Sequence, residues 1–187
     1  MENEFNEPNE NRYYSGFSGS SEKERIGEHL VKLYRAADRP EEVIWLLQNF
    51  PYWSKKDLFD LDDKELVVDA AWALGKTAQS DVAFALLKNK MIEGRLLNDD
   101  PAFKQLLALK NPATEVFLDA LVEQNPFQER PLIWKAQLAL EKGDFVAAEK
   151  LAREGIAIDP SDGEQGKDDR MQVYAVLAEA LAGQGNS

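Results

Sequence analysis

The chain has 187 residues and a formal net charge of −12, from 22 Lys and Arg set against 34 Asp and Glu. A length of this order fits one domain or one short solenoid, and the 44% hydrophobic content is enough to build a core. The acidic balance repels phosphate backbones and anionic headgroups, which speaks against nucleic-acid and membrane-surface binding. The absence of cysteine removes disulfides, thiolate zinc sites and cysteine nucleophiles together.

Residues 1–21 are rich in Asn, Glu, Gly and Ser and read as a tail, interrupted by Phe5, Tyr13, Tyr14 and Phe17. A plain linker does not require those aromatics, so docking is the sharper reading of them. The N-terminus has neither a basic n-region nor an apolar h-region, and no apolar run approaches the roughly 20 residues of a membrane span. A cytoplasmic protein without direct membrane insertion is the simplest expectation; a domain excised from a longer or exported protein is the other.

Residues 22–187 read as helix almost throughout. Ile26, Leu30, Val31, Leu33 and Tyr34 form one amphipathic stripe. Asp38-Arg39-Pro40 breaks it, and Pro40 suits the first turn of a helix carrying Val43, Ile44, Leu46, Leu47 and Phe50. A second pair is expected at about 64–76 and 80–92. Asp100-Pro101 starts a short helix to about Leu109, and Asn111-Pro112 another to about Gln124. The last three segments are about 130–142, 145–157 and 168–183. Sustained period-two alternation is missing, so the expectation is all-α.

Helices of this length joined by short turns form antiparallel hairpins, and consecutive hairpins suggest a repeat array. Between 129 and 162, Ala136, Gly143-Asp144-Phe145, Ala148 and Pro160 fall at the spacing of a 34-residue unit. Here the chain resembles the tetratricopeptide repeat (TPR) family, best over about 126–187. It departs at Lys135, where an apolar residue is usual, and at Leu132, where the family has tryptophan. The resemblance implies a right-handed superhelix of antiparallel helix pairs. It gives Ala136 and Ala148 to close helix crossings, Gly143 to the end of a first helix and Pro160 to the repeat's close. Counting back from the turns, Asp38 and Ala78 take the slot of Gly143, which puts Val31 and Ala71 in the small-residue position.

Catalytic chemistry finds no foothold. His29 is the only histidine, which leaves a triad or a His-based metal site without partners. The run Asp57, Asp60, Asp62, Asp63, Glu65 lacks the glycine and spaced glutamate of a calcium loop and reads as helix capping. No phosphate-cradling glycine motif occurs. No enzyme activity, cofactor or metal is therefore expected.

What remains is surface. In the TPR family the first helix of each repeat lines a groove. By position that groove would present Arg25, Lys32 and Arg35, then Trp72 and Lys76, then Phe103, then Arg130, Ile133 and Gln137. Trp and Arg are also frequent in binding hot spots. Ile133 and Gln137 stand where the family's carboxylate-clamp subset needs Lys and Asn, which argues against that subset. On the final helix, Tyr174 and Leu181 are expected to face inward, leaving Val173, Val176 and Ala180 as a contact face for another subunit. The functional expectation is a scaffold or assembly subunit that holds a protein or peptide, consistent with a homo-oligomer or larger complex. A small acidic chaperone for an assembling or secreted client is the alternative, and an enzyme accessory domain a more distant one.

Overall fold

The structure is a computed structural model and describes residues 19–51, 57–96, 100–158 and 167–185. Phe5, Tyr13, Tyr14, Phe17 and Pro160 lie outside the described residues. The helices are α1 (Gly19–Ala36), α2 (Pro40–Asn49), α3 (Lys64–Lys76), α4 (Ser80–Ile92), α5 (Asp100–Ala108), α6 (Thr114–Gln124), α7 (Arg130–Glu141), α8 (Phe145–Ile158) and α9 (Lys167–Gly183). A 3-10 turn covers Leu58–Asp60, and no strand occurs among the described residues. None of these helices is long and apolar enough to cross a membrane. The fold is all-α, an array of helical hairpins.

Two boundaries differ from expectation. Helix α1 begins at Gly19, inside the segment expected as tail. Helix α6 begins at Thr114 because Asn111 accepts a hydrogen bond from the Ala113 amide (2.9 Å), which holds residues 111–113 in a turn.

The acidic run before α3 does cap, as its composition suggests. Asp63 accepts from the Leu66 amide and Asp57 from that of Phe59, each at 3.0 Å.

The same turn closes three of the hairpins. After α1, α3 and α7 the chain passes through a left-handed residue: Asp38 (φ 53°), Ala78 (φ 59°) and Gly143 (φ 75°). The next amide then bonds back to a carbonyl five residues earlier, Arg39 to Tyr34, Gln79 to Leu74 and Asp144 to Ala139, each at 2.9 Å. The three positions are structurally equivalent, although only one is glycine. Val31, Ala71 and Ala136, the small-residue positions, are all fully buried, as is Ala148.

Consecutive helices other than α5 and α6 pack on one another, and α1, α3 and α5 also touch in series, as do α7 and α9. One apolar cluster runs from Val31 to Trp134; a second joins Ile133, Ala136 and Ala152 to Val173 and Val176. The last helix is thus rotated relative to expectation. Val173, Val176 and Ala180 are buried inside the monomer, whereas Met171 and Tyr174 are exposed. Both sides of α9 are apolar, and the smaller β-branched and Ala side chains fit the tight seam beside Ile133 and Gly155. The helix end is locked by Gln184, whose Nε2 donates to the Phe145 carbonyl (3.2 Å) and to Glu149 (2.8 Å).

Two outcomes check these assignments. Ala78→Gly should stabilise the chain and Gly143→Ala destabilise it, each by about 1 kcal/mol in urea melts, because a Cβ is penalised in the left-handed region. Val176→Glu should cost about 3 kcal/mol or more by burying an unpaired charge, while Tyr174→Glu should change stability by about 0.5 kcal/mol or less. The reverse ranking would restore the rotation of α9 first expected.

Candidate functional site

The first helices of the hairpins, α1, α3, α5, α7 and α9, share one face and are tied across it by polar contacts. Arg35 of α1 forms an ion pair with Asp69 of α3, and its guanidinium lies 5.7 Å from the centre of the Trp72 ring. Lys32 pairs with Glu65 at 2.6 Å, and Lys76 with Asp38 at 3.1 Å. Between α5 and α7, Arg130 and the Trp134 indole both donate to one Asp100 oxygen, at 3.1 and 3.2 Å. Arg130 also reaches Gln172 of α9 at 2.7 Å. Phe103 stacks flat on Trp134, with centroids 4.9 Å apart and planes 4° apart.

These contacts redistribute the residues expected to bind a partner. Phe103, Arg130, Ile133, Val173 and Val176 are buried and serve packing; Arg130 is only 4% exposed. The sequence-based expectation for Arg130, Ile133 and Val173 is corrected on that ground, and so is that of Val176 as a subunit contact. Trp72 is half-buried, and Arg25 is exposed on α1. Lys32, Arg35 and Lys76 keep exposed surface, but each is engaged by a carboxylate of this chain, so the face is not freely cationic.

Two cavities open on this face. The first, about 580 Å³, has Ala36, Val68 and Pro101 as its apolar surface and Lys32, Arg35, Lys64, Glu65 and Asp69 around them. The second, about 310 Å³, lies between α5, α7 and α9. Phe103, Leu107, Leu140, Ala175 and Val176 form its apolar surface; Lys104, Gln137, Glu141, Gln172 and Glu179 supply the polar groups. Phe103, Gln137 and Val176 are the expected site residues that the second cavity takes up. Apolar surface with a few placed polar groups is the usual constitution of a ligand-binding cleft. A third cavity, about 400 Å³, sits elsewhere, between α2, the 3-10 turn and the α3–α4 pair.

Asp69 is the unusual group. It is 3% exposed, and burial pushes its carboxyl above the ordinary value, against the pull of Arg35. The exposed Lys32–Glu65 hydrogen bond acts the other way on its own members, raising Lys32 and lowering Glu65. Sequence reasoning missed Asp69 and Glu65. The available signal was their spacing, since Arg35 and Asp69 stand 34 residues apart, one repeat length.

Elsewhere the chemistry is sparse. His29 is exposed and its Nδ1 lies 2.6 Å from the Arg25 carbonyl. Among the described residues no group of three or more His, Cys, Asp or Glu side chains is arranged to hold a metal ion.

Two solved structures resemble the chain, "MamA RS-1 ArsTM double mutant" and "MamA 41-end from Desulfovibrio magneticus RS-1". Each is 14% identical with a TM-score of 0.42; the matches cover 87% and 88% of this chain and 95% and 97% of theirs. A likeness of that degree carries no argument about function. No protein-family model and no curated protein sequence matches the chain.

The pH dependence of Asp69 is open to test. With its pKa raised on folding, the native chain keeps the Asp69 proton at pH values where the unfolded chain has lost it. The stability this contributes is present below the ordinary value of 3.8 and is lost as pH rises through the native value. Relative to Asp69→Asn, the wild type should therefore lose stability in urea melts as pH rises above about 4. A relative gain over that range would mean that Arg35 outweighs burial.

Proposed function

We propose that the protein is a helical-repeat scaffold that holds an extended segment of another protein along the face lined by the first helices. The observation that supports this most directly is the pair of cavities, apolar at the surface and edged by charge, on either side of α5. Each is large enough for one or two side chains, not for a globular surface. A ligand that reaches both must be extended. Its affinity would come from apolar side chains seated in the cavities, with the rim charges setting register. The ion pairs between first helices hold the walls in place before the ligand arrives, which reduces the ordering cost of binding.

The test separates the cavities from the rest of the surface. Random peptides displayed on phage and selected on the wild-type chain should converge on an apolar anchor residue. Ala36→Trp fills the first cavity from an exposed position and should weaken binding of those peptides about tenfold or more, a loss of about 1.4 kcal/mol, with an unchanged melting temperature. Ala175→Trp provides the same test for the second cavity. Peptides that bind both variants as they bind wild type would remove the proposed face from consideration.

A further inference from the structure

The two cavities on the first-helix face differ in the charge of their rims. Around the first stand three cations, Lys32, Arg35 and Lys64, and two carboxylates, Glu65 and Asp69. Both carboxylates are already met within the chain: Arg35 pairs with the buried Asp69, and Lys32 with Glu65. Lys64, the first residue of α3, is exposed and forms no ion pair among the described residues. Burial raises the Asp69 carboxyl above its ordinary value, which further weakens the anionic side of this rim. The second cavity has the opposite balance. Glu141 of α7 and Glu179 of α9 stand against a single lysine, Lys104 of α5. All three are exposed, and none forms an ion pair among the described residues. The carboxylates come from two helices that do not line the first cavity.

We infer that the segment held on this face is bipolar, with a carboxylate side chain beside the apolar residue in the first cavity and a lysine or arginine beside the one in the second. This deepens the scaffold reading and rests on it. Exposed charges more than about 8 Å apart are largely screened at physiological ionic strength. Each rim therefore acts on the ligand residue directly over it, not on the ligand's net charge. A net charge of −12 would by itself favour a uniformly basic ligand. The first rim opposes that choice, because a ligand lysine placed there meets Lys64 with no carboxylate left to answer it. An acidic side chain over the second cavity meets Glu141 and Glu179 in the same way. Charge placed like this rejects wrong partners and wrong registers more than it adds affinity. It also gives the segment one direction, since reversing it would set each of its charges against its like.

The probes are the peptides selected by phage display on the wild-type chain, synthesised free and titrated by fluorescence anisotropy at low and high salt. Their apolar anchors should be flanked by charges of opposite sign. Lys64→Glu should weaken binding about fivefold or more at low salt, and replacing the peptide's acidic residue with Lys should restore it. Glu141→Lys combined with Glu179→Lys should act likewise on the basic residue, with restoration by Glu in the peptide. Both effects should shrink at high salt. The fold is not at risk: all three positions are exposed, and the reversals at the start of α3 and the end of α7 suit the helix dipole. Uniformly basic selected peptides, or reversals that no complementary peptide rescues, would overturn the inference. If those peptides were still lost on Ala36→Trp and Ala175→Trp, the cavities would stand as the binding site and only the charge assignment would fail. Peptides indifferent to the cavity-filling variants would remove both readings together.

Discussion

One carboxylate, Asp100, fixes the rotation of α7 where the two apolar clusters of the array meet. Its oxygen receives the Trp134 indole and the Arg130 guanidinium, both from α7, at the point where the chain passes from its first apolar cluster to its second. Trp134 belongs to the first cluster and Ile133, its neighbour in sequence, to the second. A helix that must place adjacent residues in two different cores has little rotational freedom. Two hydrogen bonds from one turn of α7 to a fixed acceptor set that rotation, and the flat stacking of Phe103 on Trp134 sets its depth. Arg130 is buried with its charge met by Asp100 and its reach extended to Gln172, so α5, α7 and α9 are oriented together. Removal of Asp100 would take an anionic partner from the buried Arg130 guanidinium, which is costlier than the pair is stabilising.

The other contacts along the first-helix face repeat this arrangement with weaker members. Arg35–Asp69 and Lys32–Glu65 join α1 to α3, and Lys76–Asp38 joins α3 to the turn after α1. Exposed pairs such as Lys32–Glu65 contribute little to stability. Their value is register: they align α1 on α3 without apolar side chains and so leave the small apolar surfaces of Ala36, Val68 and Pro101 open between them. In a chain with a net charge of −12, local pairing also keeps the few cations near carboxylates that would otherwise repel one another.

Element identity was legible in the sequence, and side-chain destination was less so. The helices follow from periodicity and turn spacing, because backbone geometry imposes those patterns directly, while the shared slot of Asp38, Ala78 and Gly143 and the burial of Ala136 were what the family resemblance implied. Arg130 and Ile133 were misplaced for a common reason. Family position assigns a residue to a helix face, but whether that face is groove or joint depends on the neighbouring helix, and Asp100 lies 30 residues away from Arg130. The rotation of α9 failed differently. Val173, Val176 and Ala180 lie on one side and Met171, Tyr174 and Ala178 on the other, so the apolar pattern has two solutions. Packing against Gly155 and Ile133 selects the side with smaller groups.

Helix α5 connects these observations to binding. It has nine residues, and it walls both cavities, with Pro101 in the first and Phe103, Lys104 and Leu107 in the second. Its first residue is Asp100. A ligand segment seated in either cavity presses on the helix whose position the Asp100–Arg130–Trp134 contacts fix. The two cavities therefore share a rigid wall rather than a hinge, and filling one should neither open nor close the other. Affinity for a segment that spans both is then governed by its own spacing and stiffness, in the manner of two linked sites at fixed separation. In the proposed function, that requirement would select ligands by length as well as by side chain, with the wall set by the carboxylate at the start of α5.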